Sequence, residues 1–210
     1  MSIFTGNTIG MKLIFATNNL HKVREISRLL GNSFTLVSLS DINFTEDIPE
    51  DFPTLEENAL FKARFINRLT GTPVFADDTG LEIDSLNGRP GVHSARFAGP
   101  AKNFDANIDK VLLLLGTNTQ RSARFRTVIA LIIDDREYLF EGRIDGTIIT
   151  ERRGTNGFGY DPVFIPDGGK ITFAEMSLDE KNRISHRALA FNKLKEFLSG
   201  YSNNDNNSSV

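Results

Sequence analysis

Residues 123–133 limit the fold more than any other stretch. After Arg126 they run Thr-Val-Ile-Ala-Leu-Ile-Ile, apolar or β-branched at every position. A strand that alternates apolar and polar side chains can leave one face in water, but one apolar on both faces needs cover on both. The segment predicts a strand in the interior of a sheet that has helices above and below. Asp134-Asp135 then reads as a hairpin turn into a second long strand over residues 138–149.

The remaining pattern supplies the helices. Residues 13–16 read as a short buried strand, and Val23, Ile26 and Leu30 follow at helical spacing up to Gly31. Residues 34–39 read as the next strand. Thr54 and Glu57 form a capping box after Pro53, and Leu55, Ala59, Ala63, Ile66 and Leu69 line one helix face as far as Gly71. Residues 74–76 and 81–86 look like separate strands on either side of Asp77-Asp78-Thr79-Gly80, where a turn is expected. Further helices fit residues 104–115, closed by Gly116, and residues 185–198. The sum is an α/β fold: one domain over residues 12–198 with an elongated mixed β-sheet flanked by helices, in two lobes with a cleft between them. Residues 1–11 read as an N-terminal extension, and the polar stretch 199–210 as a disordered tail.

Composition narrows the chemistry. The 210 residues contain no cysteine and three histidines, so thiolate chemistry is excluded and a metal would be held by oxygen or imidazole, pointing to magnesium or manganese. A net charge of −3 argues against general nucleic-acid binding. No apolar run approaches the roughly 20 residues that span a membrane, and no signal peptide is evident. The expectation is a cytoplasmic protein.

Four stretches carry functional chemistry. Thr17-Asn18-Asn19-Leu20-His21-Lys22 joins a strand to a helix N-terminus, which presents backbone N–H groups to a phosphate; Thr and Asn there are also ordinary helix caps. Asp77-Asp78 reads either as a turn or, with Glu50 from a preceding loop, as a hard-cation site. The loop Gly154–Pro162 has three glycines around Phe158 and Tyr160, letting the backbone approach a ligand while an aromatic face meets a base. Ser185 reads as the cap of the last helix. His186 and Arg187 in its first turn then oppose the helix dipole, which makes sense if they face an electron-rich partner such as a carbonyl oxygen.

Taken in order, T-x-N-x-x-K at 17–22, A-D-D-T-G at 76–80, P-G-x-x-S-A-R at 90–96, G-F-G-Y-D-P at 157–162 and E-K-x-x-x-S-H-R at 180–187 resemble the inosine triphosphate pyrophosphatase family. The resemblance covers residues 12–198. It implies a homodimeric hydrolase that needs magnesium, with manganese as a substitute, and that cleaves ITP, dITP and XTP to the monophosphate and pyrophosphate. Carried across, it implies that Thr17, Asn18, Asn19, Leu20, His21 and Lys22 hold the triphosphate, and that Asp78 binds metal and serves as the base. Thr79 contacts substrate, and Phe158, Gly159, Tyr160 and Asp161 line the base pocket. Lys181, His186 and Arg187 complete the nucleotide site. Glu50 is the second metal carboxylate, with Glu57 as the alternative. The competing readings are a pyrophosphatase for other modified nucleotides and a nucleotide-binding module without catalysis.

Overall fold

The computed structural model describes residues 11–30 and 34–205. Its centre is the long hairpin expected from the sequence. Strand β5 (Ser122–Ile133) pairs antiparallel with β6 (Arg136–Ile148), from Ser122 opposite Thr147 to Ile133 opposite Arg136. Asp134 and Asp135 turn the chain with φ of 48° and 57°, the left-handed pair that a two-residue hairpin loop requires.

On the other side of β5 lies β3 (Val74–Ile83), followed by β1 (Met11–Phe15) and β2 (Phe34–Ser38), both parallel to it. The two-residue β4 (Pro90–Gly91) pairs with the far end of β3, and β7 (Phe164–Pro166) pairs with β6, completing a seven-stranded mixed sheet. Helix α2 (Leu55–Thr70) covers one face at the parallel end, where Leu55, Ala59, Ala63 and Ile66 meet Ile14, Val74 and Ala130. Helices α1 (Leu20–Leu30) and α5 (His186–Asp205) cover the other face, where Ile26, Phe191 and Leu194 meet Phe15, Phe75 and Ile129. A third core lies towards the other end of the sheet, where α3 (Phe104–Leu115) packs Ile108 and Val111 near Phe125, Phe164 and Phe173. The doubly apolar strand is covered on both faces, as its sequence demands.

Local signals place most boundaries. Thr54 caps α2 by accepting from the Glu57 N–H at 3.2 Å, and Gly71 ends it in the left-handed conformation. Ser177 and Glu180 form a reciprocal capping box on the short α4 (Leu178–Ile184). Ser185 then accepts from the Ala188 N–H at 3.2 Å, capping α5.

Two expectations are corrected. There is no turn at Thr79-Gly80, because β3 is one continuous strand paired residue by residue with β5 from Val74 to Ile83. Gly80 is needed for closeness rather than for turning: a Cβ there would lie 2.8 Å from the Gly91 carbonyl oxygen of β4. The last helix does not stop at Leu198 but continues to Asp205. Tyr201 packs at a tilt against Phe197, with ring centroids 5.6 Å apart, and its hydroxyl donates to Asp134 Oδ2 in the hairpin turn, so packing reaches into the stretch expected to be disordered. Residues 206–210 and 1–10 lie outside the described part, and Met11 already belongs to β1. Among the described residues, no helix is long and apolar enough to cross a membrane.

The start of α5 rests directly on β6. A Cβ on Gly142 would lie 2.0 Å from the His186 carbonyl oxygen and 2.5 Å from the Ala190 nitrogen, both rigid backbone. Gly142→Ala is expected to destabilise the protein by about 1–3 kcal/mol, the usual cost of overpacking, and to displace His186 and Arg187. Urea unfolding measures the first effect and nucleotide affinity the second.

Candidate active site

β3 is paired with β5 along its length on one side, but its other side is interrupted. β1 accompanies it only at Val74 and Phe75, and β4 joins it at Leu81 and Glu82. Residues 76–80 have no strand neighbour there, and the gap opens where β1 ends. Open α/β sheets hold ligands at such carboxyl-end breaks. A cavity of about 420 Å³ lies at this gap, bounded by Ala16 and Thr17 from the end of β1 and by Asp78, Thr79 and Leu81 from β3.

The cavity gathers residues from distant parts of the chain: Thr17, Asn18, Asn19, His21, Lys22, Glu50, Asp78, Thr79, Phe158, Gly159, Tyr160, Asp161, Lys181, His186 and Arg187 all line it. Leu20 does not. It opens α1 and is 67% exposed, outside the lining of the cavity. Glu57 is also absent, because its carboxylate accepts from Thr54 Oγ1 at 2.8 Å in the cap of α2. The helix N-terminus is less open than expected. Asn19 Oδ1 accepts from the N–H groups of His21 and Lys22 at 3.0 and 3.3 Å, so two of the N–H groups there are already engaged.

Because β3 does not turn, its successive side chains point to opposite faces and the sheet separates the two aspartates. Asp77 faces α1 and α5, where Oδ1 accepts from Lys22 Nζ at 2.9 Å and Oδ2 from Arg187 Nε at 3.2 Å. Burial alone would raise its pKa, but Lys22, Arg187 and Lys62 outweigh it and hold the carboxyl well below the usual range. Asp78 faces α2. Its Oδ1 lies 3.4 Å from Lys62 Nζ, while Oδ2 is buried with no hydrogen-bond partner. Burial pushes its pKa up, only partly offset by Lys62.

Lys62 sits at the centre of this acidic end. Its ammonium donates to Glu50 Oε1 at 2.5 Å and to the Asp77 carbonyl oxygen at 2.7 Å. Burial disfavours its charge, yet Asp78, Glu50 and Asp77 together keep it protonated well above the usual lysine range. Arg96 steadies the loop by donating to the Glu50 carbonyl oxygen.

The opposite wall is a chain of buried charges. Arg187, 2% exposed, donates to Asp77, to Glu25 and, at 3.1 Å, to Thr79 Oγ1. Lys181 Nζ donates to Glu25 Oε1 at 2.7 Å and to Asp161 Oδ2 at 2.6 Å. Asp161 also accepts from the Phe158 N–H at 2.9 Å, and a Cβ on Gly157 would fall 2.0 Å from the same oxygen. Thus Asp161 folds the glycine loop, and Arg187 spends three N–H directions on protein. Both residues line the cavity with much of their hydrogen-bonding capacity already taken by protein.

His186 lies against Phe125, with ring centroids 4.6 Å apart and planes at 14°. Its Nδ1 is buried without a partner. Burial, then the charges of Arg187 and Lys181, hold its pKa well below the usual histidine value, so the imidazole is neutral.

A family model described as the Ham1 family matches residues 13–197. The chain belongs to the Ham1 family. It is 55% identical over 188 residues to a dITP/XTP pyrophosphatase of Porphyromonas gingivalis, covering 89% of this chain and 97% of that protein. Its identity to a dITP/XTP pyrophosphatase of Bacillus subtilis is 48% over 189 residues, covering 88% and 96%. Among solved structures, a Ham1 protein from Coxiella burnetii superposes with a TM-score of 0.83 at 38% identity, covering 90% of this chain and 99% of that one. The Staphylococcus aureus Ham1 protein gives 0.82 at 38% identity, with the same coverage. The fold expected from the sequence is therefore the Ham1 fold.

Within this Ham1 site, sequence reasoning passed over Glu25, Lys62 and Phe125. Lys62 had a signal: it stands on the apolar stripe of α2, seven residues after Leu55. Glu25, three residues after Lys22, had a weaker one beside the buried Ile26. Phe125 looked like any other core aromatic.

The neutral His186 has a measurable consequence. Its folded-state pKa is depressed, so below about pH 6.5 the unfolded chain binds a proton that the folded chain refuses. Stability is expected to fall by about 1.4 kcal/mol per pH unit below that point through this group alone. Asp78 and Asp161, whose carboxyls are raised mainly by burial, act with the opposite sign in acid. The difference between the wild type and His186→Phe in urea unfolding at pH 5, 6 and 7 isolates the imidazole; parallel curves contradict the assignment.

Proposed function

We propose that this chain hydrolyses non-canonical purine nucleoside triphosphates, dITP, ITP and XTP, to the monophosphate and pyrophosphate. The observation that carries the reading is one cavity combining a lysine-bridged pair of carboxylates, with Asp78 Oδ2 left unpartnered, and an aromatic loop beside a neutral histidine. The names of the relatives agree with it.

Asp78 and Glu50 fit a magnesium ion: both offer hard oxygen donors, and Asp78 Oδ2 is buried with nothing to bond. Among the described residues, no three His, Cys, Asp or Glu side chains converge on one point, so substrate oxygens and water would fill the other positions, as is usual for magnesium. When bound, the ion neutralises phosphate charge and acidifies a neighbouring water.

The residues of the chain supply the rest. Lys22 meets the triphosphate from the start of α1. Asp78 orients a water towards the α-phosphorus and takes its proton as the new P–O bond forms and the α–β bridging bond breaks, releasing pyrophosphate. Lys62, charged at all ordinary pH, holds Glu50 and Asp78 in place. The neutral imidazole of His186 donates an N–H to a 6-keto oxygen, whereas adenine offers an amino group there and leaves two donors facing each other. The homodimer implied by the resemblance belongs to the same reading, and light scattering should give twice the mass of one chain.

The test is a release assay over dITP, XTP, GTP and ATP, with magnesium and with EDTA, separating pyrophosphate from orthophosphate. Magnesium-dependent pyrophosphate release, fastest with dITP or XTP, is expected. Equal turnover of ATP removes the base-selection argument, and direct orthophosphate release removes the pyrophosphatase assignment.

A further inference from the structure

The ring of Phe158 is not an open face. His21 lies over it, with centroids 5.0 Å apart and planes at 21°. Phe104 meets the pair from the side, 6.1 Å from His21 at 68° and 6.0 Å from Phe158 at 47°. These rings come from the first turn of α1, the first residue of α3 and the glycine loop, and all three line the cavity. The sequence placed His21 with the phosphate, but its imidazole has joined the aromatic side. Its main-chain N–H is tied to Asn19 Oδ1 at 3.0 Å, which fixes the point from which the ring swings.

We propose that His21 is a nucleobase-binding residue, forming with Phe158 a two-sided clamp whose edge is Phe104. This rests on the nucleotide reading above. Atoms in stacking contact lie about 3.5 Å apart, so two rings holding a base between them stand about 7 Å apart. At 5.0 Å the pair is closed on itself, and a base enters by replacing the His21–Phe158 contact with two contacts of its own. Stacking of this kind tolerates any purine. The clamp supplies affinity, and His186 supplies the choice.

The experiment measures calorimetric affinities of the full chain, in EDTA, for inosine 5′-monophosphate and for inorganic tripolyphosphate, which has no base. His21→Ala is expected to weaken the monophosphate by at least about fivefold, the lower end of a lost base–aromatic stack, and to leave tripolyphosphate unchanged. His21→Phe, which keeps an aromatic face, restores most of that loss, while His21→Gln, which keeps only hydrogen bonding, does not. Unchanged monophosphate affinity in His21→Ala overturns the clamp. So does a parallel loss for tripolyphosphate, which returns His21 to the phosphates, or rescue by Gln but not by Phe. A wild type that binds the monophosphate in this His21-dependent way yet hydrolyses no non-canonical triphosphate leaves the clamp standing and removes the proposed activity.

Discussion

Asp78→Asn is expected to lower pyrophosphate release by on the order of a thousandfold while leaving the fold and its stability nearly intact. The activity falls because the amide cannot take a proton from water; losing a positioned general base costs about 10²–10⁴-fold. Stability is spared because the side-chain shape is kept and Asp78 makes one long contact, 3.4 Å, to Lys62. Lys62 keeps Glu50 at 2.5 Å and the Asp77 carbonyl oxygen at 2.7 Å, so no buried cation is abandoned. Turnover and thermal unfolding on one preparation check both halves. Near-normal turnover would move the base elsewhere, and a large drop in melting temperature would show that Asp78 carries structural weight.

Glu25→Gln is expected to act chiefly on stability. Glu25 is the anion shared by Lys181 and Arg187, and all three side chains are 5% exposed or less. Burial would raise its pKa, but Arg187 and Lys181 outweigh that and keep it ionised. Removing one member of a buried ion network leaves uncompensated charge and typically costs 3–5 kcal/mol. At about 2–4 °C per kcal/mol for a chain of this size, the melting temperature should fall by roughly 6–20 °C. Nucleotide affinity is expected to weaken as well, because Arg187 and Lys181 hold Thr79 and the glycine loop. Differential scanning calorimetry decides it; a shift of less than a few degrees would mean that the network relaxes or admits water.

Much of this molecule was legible in its sequence. The doubly apolar run of β5, the Asp-Asp hairpin, the helix caps at Thr54 and Ser185, and Gly71 and Gly116 as helix ends each state a local physical requirement that the fold meets. The stretch after Asp78 was misread because Asp and Gly are poor strand formers, and only the ladder to β5, formed by residues some fifty positions away, overrides that preference. The end of α5 was missed for a similar reason: Tyr201 finds its partner in the hairpin turn. In the cavity, the motifs brought the right segments together. Who bonds to whom remained hidden, since the division of Arg187 among Asp77, Glu25 and Thr79 depends on three elements meeting at one guanidinium.

The uninterrupted course of β3 has a consequence for how such a chain can vary. Neighbouring aspartates with opposite acid strengths are kept apart only by the two-residue period of a strand, so their roles are set by parity. Deleting or inserting one residue between Val74 and Asp77 would slip the register and exchange the faces of every later side chain. An insertion would bring Asp77 to the place beside Lys62 and set the Thr79 side chain against the Gly91 carbonyl of β4, where no Cβ fits, whereas a deletion would put Thr79 beside Lys62 and leave no aspartate there. Substitutions along this strand can be absorbed one at a time, whereas a change in its length cannot.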